Sequence, residues 1–203
     1  MTKGVMAGIG CLAIIVIGAA ILGFAAWGVY NGLITEQQKV EAQWAQVENV
    51  YQRRADLVPN LVATVKGYAA HESEVLQAVT ESRAKVGSMQ MTPEMLGDPA
   101  ALEQYQQAQA GLGSALSRLM LVVERYPDLK ANQNFLELQS QLEGTENRIT
   151  VERMRFNEAA QAYNTRVLRF PDNLFARFFG FGQKAYFQSA PGSDQAPVVD
   201  FTD

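Results

Sequence analysis

Two hydrophobic patterns divide the chain. From Val5 to Tyr30 run 26 uncharged positions, eleven of them Ile, Leu, Val or Phe and eleven Gly or Ala. As a helix this stretch is about 39 Å long, enough to cross roughly 30 Å of hydrocarbon. Trp27 and Tyr30 close it where an interfacial aromatic belt belongs. Residues 5–30 are therefore expected to form one membrane-spanning helix in contact with the lipid bilayer, behind a short N-terminus at 1–4. A cleaved signal peptide, with Gly23-Phe24-Ala25 as its small-residue site, is the rival reading, and the apolar run is long for one.

Beyond residue 31 the period becomes that of an amphipathic helix. Val40, Trp44, Val47, Tyr51, Val58, Leu61, Val65 and Tyr68 follow one another in steps of three, four or seven and share one stripe. This helix starts at Thr35 or continues from the span, and its expected end is near Val86, with Gly87 following. Pro59 predicts a kink, or a break into two helices, because it cannot donate to the carbonyl four residues back. Residues 88–98 read as a loop. Asp98-Pro99 is a strong helix start, and the second helix uses Leu102, Tyr105, Leu112, Leu116, Leu119 and Val123 before stopping at Tyr126-Pro127. Gly111 and Gly113 are expected to permit close helix packing. A third helix, about 132–170, repeats Phe135, Leu142, Ile149, Phe156, Tyr163 and Phe170 at a strict interval of seven. The prediction is an all-α chain: the N-terminal transmembrane helix, then an antiparallel bundle of three long helices plus a short C-terminal helix over 31–188, then a flexible tail at 189–203.

A second, polar stripe runs beside the apolar one. On the first helix it holds Arg53, Asp56, Asn60 and His71, and on the third Glu146, Arg153, Asn157 and Asn164. If these face each other they form either a buried catalytic or ion-binding layer, with Asp56, His71 and Glu146 titrating, or a structural seam that fixes register between long helices. The seam is the preferred reading. A di-metal bundle needs repeated Glu-x-x-His pairs, and none occurs; His71-Glu72 does not extend to HExxH.

Charge and composition narrow the classes. Lys3 aside, 16 Lys and Arg stand against 21 Asp and Glu, a net of −5, so nucleic-acid binding is not expected. Cys11 and His71 are each the only residue of their type, which leaves no internal disulfide and no ordinary zinc ligand set. No cofactor or metal is expected. Lys3 and the amine precede the span and only Lys39 lies in the 20 residues after it, which points the bundle out of the cytoplasm from an inner-membrane anchor.

The C-terminal segment is unusual in composition: Phe170 to Phe187 holds seven aromatic residues, six of them among the ten Phe of the chain. It reads as an interfacial helix, a bundle cap or a partner patch, with Phe175, Phe178, Phe179, Phe181, Tyr186 and Phe187 as its members. Helices of about 80, 42 and 58 Å running out, back and out again would carry Phe170 far from the bilayer. On that geometry Phe175, Phe178 and Phe181 cap the distal end, and Tyr186 and Phe187 are partly exposed.

Several stretches resemble the LemA family of bacterial membrane proteins. They are Tyr30-Asn31, the run QRRADLVPNLVATVKGYAAHE from Gln52 to Glu72, the run RYPDLKANQNFLELQSQLEGTENRITVERMRFNEAAQAYN from Arg125 to Asn164, and FPDNLFARFFGFGQKAYF from Phe170 to Phe187. Where the family often has a Tyr-Asn pair on the third helix, this chain has Phe156-Asn157, one hydroxyl fewer. The resemblance implies a single-pass, N-terminally anchored helical bundle with no catalytic residues to carry over, and one branch of the family is associated with building magnetosome membranes. The expected function is a membrane-anchored scaffold or interaction protein of the bacterial envelope that recruits other envelope proteins or self-associates. The alternative is a hydrolase or ion-binding enzyme using the polar seam.

Overall fold

The computed structural model describes residues 2–188. Helix α1 (Thr2–Tyr68) begins in the apolar stretch and continues unbroken into the buried stripe, passing through Pro59, which lies exposed on its surface. After it come α2 (Ser73–Gly87), a 3-10 turn (Met95–Gly97), α3 (Pro99–Val123), the single-turn α4 (Pro127–Lys130), α5 (Gln133–Leu168) and the short α6 (Asp172–Phe179). All regular structure among the described residues is helical, as the periodicity predicts. Helix α3 starts as expected: the Asp98 carboxylate accepts from the Ala100 amide at 2.9 Å, and Pro99 occupies the first turn, where its missing N–H costs nothing. The expected tail at 189–203 lies outside the described residues.

The residues gather into two compact units. The first comprises Met1–Leu57 and Glu137–Lys184. In it α5 lies antiparallel to α1, for as numbers fall along α1 they rise along α5. Arg54 pairs with Glu146, Gln43 with Glu152, Trp44 with Phe156, and Gly32 touches Arg166. Leu33, Val40, Trp44, Val47 and Tyr51 of α1 are buried, as are Leu142, Ile149, Phe156 and Tyr163 of α5, with Trp44 and Phe156 in edge-on contact. The seven-residue seam is thus buried along the helix, each large side chain contributing about 1.5 to 3 kcal/mol on burial. Phe170 leaves it: α5 ends at Leu168, and Phe170 is 74% exposed.

The second unit comprises Val58–Leu136 and Ala185–Asp203. Here α2 packs along α3, and Leu76, Val79 and Val86 are buried, as are Leu102, Tyr105, Leu112, Leu116, Leu119 and Val123. The helix expected to reach Val86 is broken at 69–72, so the stretch read as one helix is two. The apolar period hides this break, because Val65 and Leu76 are eleven residues apart and three helical turns span about that many. Tertiary bonds hold the break. The Glu72 carboxylate accepts from Arg125 Nη2 at 2.9 Å and from the Tyr126 hydroxyl at 3.0 Å, and Asn132 Nδ2 donates to the Tyr68 hydroxyl at 2.9 Å.

Helix α5, expected to run away from the apolar stretch, returns along α1 toward it, and α6 arrives beside Tyr30. The distal cap expected of Phe175, Phe178 and Phe181 is therefore corrected to a position at the end of the apolar segment. Gly111 is a second correction, since a Cβ there would meet nothing within 4 Å and the residue is not a close-packing position.

Candidate functional site

Four side chains of α1 and α5 form a polar cluster inside the first unit. Tyr51 and Arg54 are one turn apart on α1, and Glu146 and Arg153 are seven residues apart on α5, so each pair lies on one helix face. Arg54 Nη1 donates to both carboxylate oxygens of Glu146, at 2.8 and 3.1 Å. The Arg54 side chain is 5% exposed and that of Glu146 is 44% exposed, so the pair reaches solvent through its carboxylate. The guanidinium also stands 5.2 Å from the centre of the Tyr51 ring, within cation–π range. Burial pushes the Tyr51 hydroxyl above its usual value; the charges of Arg153 and Arg54 and a hydrogen bond with Arg153 pull it down, and Glu146 pushes it up. Farther along the same interface Gln43 Nε2 donates to Glu152 at 2.6 Å, and Arg155 pairs with the other Glu152 oxygen at 2.8 Å.

The sequence-predicted seam residues divide around this cluster. Arg153, Glu146 and Asn157 are partly buried on α5. On α1, Arg53, Asp56 and Asn60 are exposed; Asp56 accepts from Gln52 one turn back, and the Asn60 carbonyl accepts from Thr64. His71 is exposed in the break after α1. Arg54, next to the residue the polar stripe singled out, is the one that enters the interface. The available signal was a gap: the apolar stripe steps seven residues from Tyr51 to Val58, and the position one turn after Tyr51 is Arg54. No group of three or more His, Cys, Asp or Glu among the described residues could hold a metal ion.

A second constellation builds the C-terminal end of the first unit. Asn164, buried on α5, holds the chain at Lys184 with two bonds: its Nδ2 donates to the Lys184 carbonyl at 2.8 Å, and its Oδ1 accepts from the Lys184 amide at 2.7 Å. Arg166 crosses α1 at Gly32 and its Nε donates to the buried Asp172 carboxylate at 3.2 Å. Helix α6 starts at that aspartate and ends at Gly180, whose φ of 78° is the left-handed conformation glycine adopts without penalty. Tyr30 receives this segment, its ring 5.1 Å from Phe179 and 5.7 Å from Phe181, both edge-on. Phe178 stands 5.2 Å from Phe179 and is 82% exposed, whereas Phe175 and Phe181 are partly buried. In the second unit, Tyr186 is exposed and Phe187 is buried, so the exposed pair expected there reduces to Tyr186.

The apolar stretch of α1 presents its side chains outward: Leu12, Ile14, Ile15, Val16, Ile17, Ile21, Leu22, Phe24 and Trp27 are all exposed. A soluble chain would not leave so many large apolar groups in one contiguous band.

Comparison with known proteins agrees with these features. The sequence profile of the LemA family matches residues 43–201. Magnetosome protein MamQ 2 of Paramagnetospirillum magneticum is 30% identical over 186 residues, covering 84% of this chain and 68% of that protein. Magnetosome protein MamQ of Magnetospirillum gryphiswaldense is 29% identical over 186 residues with the same coverage. Protein LemA of Metamycoplasma hominis is 24% identical over 170 residues, covering 84% of this chain and 74% of that protein.

Proposed function

This chain belongs to the LemA family, and from that premise we propose that it is a non-catalytic, single-pass membrane-anchored helical protein of the bacterial envelope that organises other proteins or membrane around it. The observation that carries the reading is the character of α1, one helix whose outward-facing apolar segment continues directly into a packed core. The apolar segment and the α1 stripe packed on α5 are thereby parts of one continuous helix, with no linker between them. The polar cluster supports a structural role: Arg54 and Glu146 are matched to each other, and pairing of this kind fixes which residues of two long helices stand opposite. The magnetosome proteins among the relatives support a membrane-organising role over catalysis.

The bundle lies outside the cytoplasm on this reading, anchored in the inner membrane, because Lys39 is the single basic residue between Tyr30 and Arg53. Its partners are other envelope proteins or further copies of itself. Alkaline carbonate washing of membranes tests the anchor: the intact protein stays in the pellet, and deletion of residues 5–30 releases it. Recovery of the intact protein in the soluble fraction refutes the anchor. A reporter active only in the cytoplasm, fused after Asp203, stays silent if the orientation is right. Crosslinking in cells from exposed positions on α5, such as Thr150, then separates adducts between copies from adducts with other envelope proteins.

A further inference from the structure

The anchor reading leaves the aromatic C-terminal segment unexplained, and its placement supplies an occupant. Within the first unit an unbroken series of rings runs from Phe178 through Phe179 to Tyr30 and on to Phe181. Tyr30 is the last residue of the apolar stretch. That stretch is about 39 Å long as a helix against roughly 30 Å of hydrocarbon, so the excess places its ends among the lipid headgroups. The rings packed on Tyr30 stand at the same level.

We propose that the segment from Phe170 to Phe179 is a second, interfacial membrane contact, with Phe170, Leu174 and Phe178 immersed in the headgroup layer of the bilayer from which α1 emerges. The proposal rests on the anchor reading. On α6 Leu174 and Phe178 are one turn apart and 61% and 82% exposed, while Asp172 and Ala176 on its other side are buried, and Phe170, in the turn just before the helix, is 74% exposed. Such a helix has the division of faces that lies flat in an interface. Its charges fit an anionic lipid surface. The one acidic residue of α6, Asp172, is buried against Arg166, and the charged groups left exposed are Arg169 and Arg177. Continuity decides between a lipid surface and a second copy of the chain, because the exposed rings extend a band that, on the anchor reading, is already in lipid.

The test uses the full chain with Cys11→Ser, reconstituted in vesicles of phosphatidylcholine and phosphatidylglycerol, and carries an environment-sensitive fluorophore at one introduced cysteine. Four variants are compared: Leu22→Cys in the apolar stretch, Phe178→Cys and Leu174→Cys on α6, and Thr150→Cys on the exposed face of α5, each checked for helix content. Nitroxide lipids labelled near the headgroup or deep in the acyl chain then report depth. The expected result is blue-shifted emission at 174 and 178, quenched more by the shallow nitroxide than by the deep one, with position 150 unquenched. If 174 and 178 emit like 150 while 22 is quenched by the deep nitroxide, the interfacial contact is overturned and the anchor stands. If 174 and 178 are shielded without lipid quenching and crosslink between copies, a second copy covers the patch and the proposal is overturned. If 22 itself escapes quenching, the anchor reading fails and this proposal fails with it.

Discussion

The guanidinium of Arg166 lies where the Cβ of any residue other than glycine at position 32 would stand. A side chain from α5 thus crosses the face of α1 at a position where α1 has no side chain, and reaches Asp172 at the start of α6. Gly32, Arg166 and Asp172 together fasten α6 beside the end of the apolar stretch.

Gly32→Ala should push the Arg166 guanidinium aside and weaken its bond to Asp172, whose buried carboxylate would keep only Arg169, at 3.9 Å. Because the displaced atoms are the flexible end of a part-exposed side chain, the cost is that of a weakened ion pair, up to about 1 kcal/mol. Gly111→Ala should act in the opposite direction. A Cβ there meets nothing, so the substitution removes backbone freedom from the unfolded chain and stabilises by about 0.4 to 1 kcal/mol. Equilibrium unfolding in urea measures both, and equal effects from the two glycines would contradict the close approach at Gly32.

The Arg54 cluster predicts an asymmetry between neighbours. Arg54→Met removes a buried guanidinium together with its bonds to Glu146 and its place over the Tyr51 ring, and should cost about 1 to 3 kcal/mol. Glu146→Gln removes the charge from a half-exposed partner that water already screens, and should cost less than about 1 kcal/mol. Arg53→Met, on the exposed face, should change stability by no more than about 0.5 kcal/mol. If the Arg53 and Arg54 variants unfold together, the register drawn between α1 and α5 is wrong.

Burial raises the ionisation of two core tyrosines, Tyr51 and Tyr163, above the ordinary value near 10.0; in Tyr163 the charge of Glu41 adds to it. The folded chain therefore holds these protons at a pH where the unfolded chain releases them. Their contribution to stability is complete below about pH 10 and declines as pH rises from there toward the folded-state values. Tyr51→Phe and Tyr163→Phe should each flatten the loss of stability in that alkaline range, read as urea midpoints against pH. Unchanged alkaline slopes in both variants would mean that the two hydroxyls are not desolvated.

Most of the helices and the main stripes of the core were readable from period, although Leu33, Leu96 and Leu129 are buried outside those stripes and Tyr68, placed on one, is exposed. Trp44 and Phe156, now 5.5 Å apart and edge-on, each lie on the stripe that spacing assigned to its helix. What period could not show was the break at 69–72, because neither proline nor glycine occupies it and its cause is tertiary: Glu72 and Tyr68 are bonded to residues more than 50 positions later. The expectation for the aromatic segment rested on counting three helices, and within the first unit the segment is found at Tyr30 instead. The polar cluster was half readable. A stripe argument sorts residues by type, and it placed Arg53 and Asp56 together; a long arginine stem packs along an apolar face, which is how Arg54 occupies a position of the core stripe.

Asn164 gives the most direct test of how the C-terminal segment is held. Its carboxamide offers one donor and one acceptor to the Lys184 carbonyl and amide, the pairing a neighbouring strand would make, and it does so from a buried position on α5. Asn164→Ala removes both bonds and leaves two backbone groups to find water, a loss of about 1 to 3 kcal/mol that falls on the segment near Lys184 more than on the core formed by Trp44 and Phe156. Asn164→Asp is the sharper variant. The carboxylate still accepts from the Lys184 amide but faces the Lys184 carbonyl with an oxygen in place of a donor, so one bond is kept and the other becomes a repulsion. Hydrogen exchange should show the Lys184 amide losing protection strongly in the alanine variant and in part in the aspartate variant, with the amides around Ile149 unchanged in both. Protection at Lys184 that survives Asn164→Ala would mean that the segment is held by its other contacts, the rings on Tyr30 foremost among them.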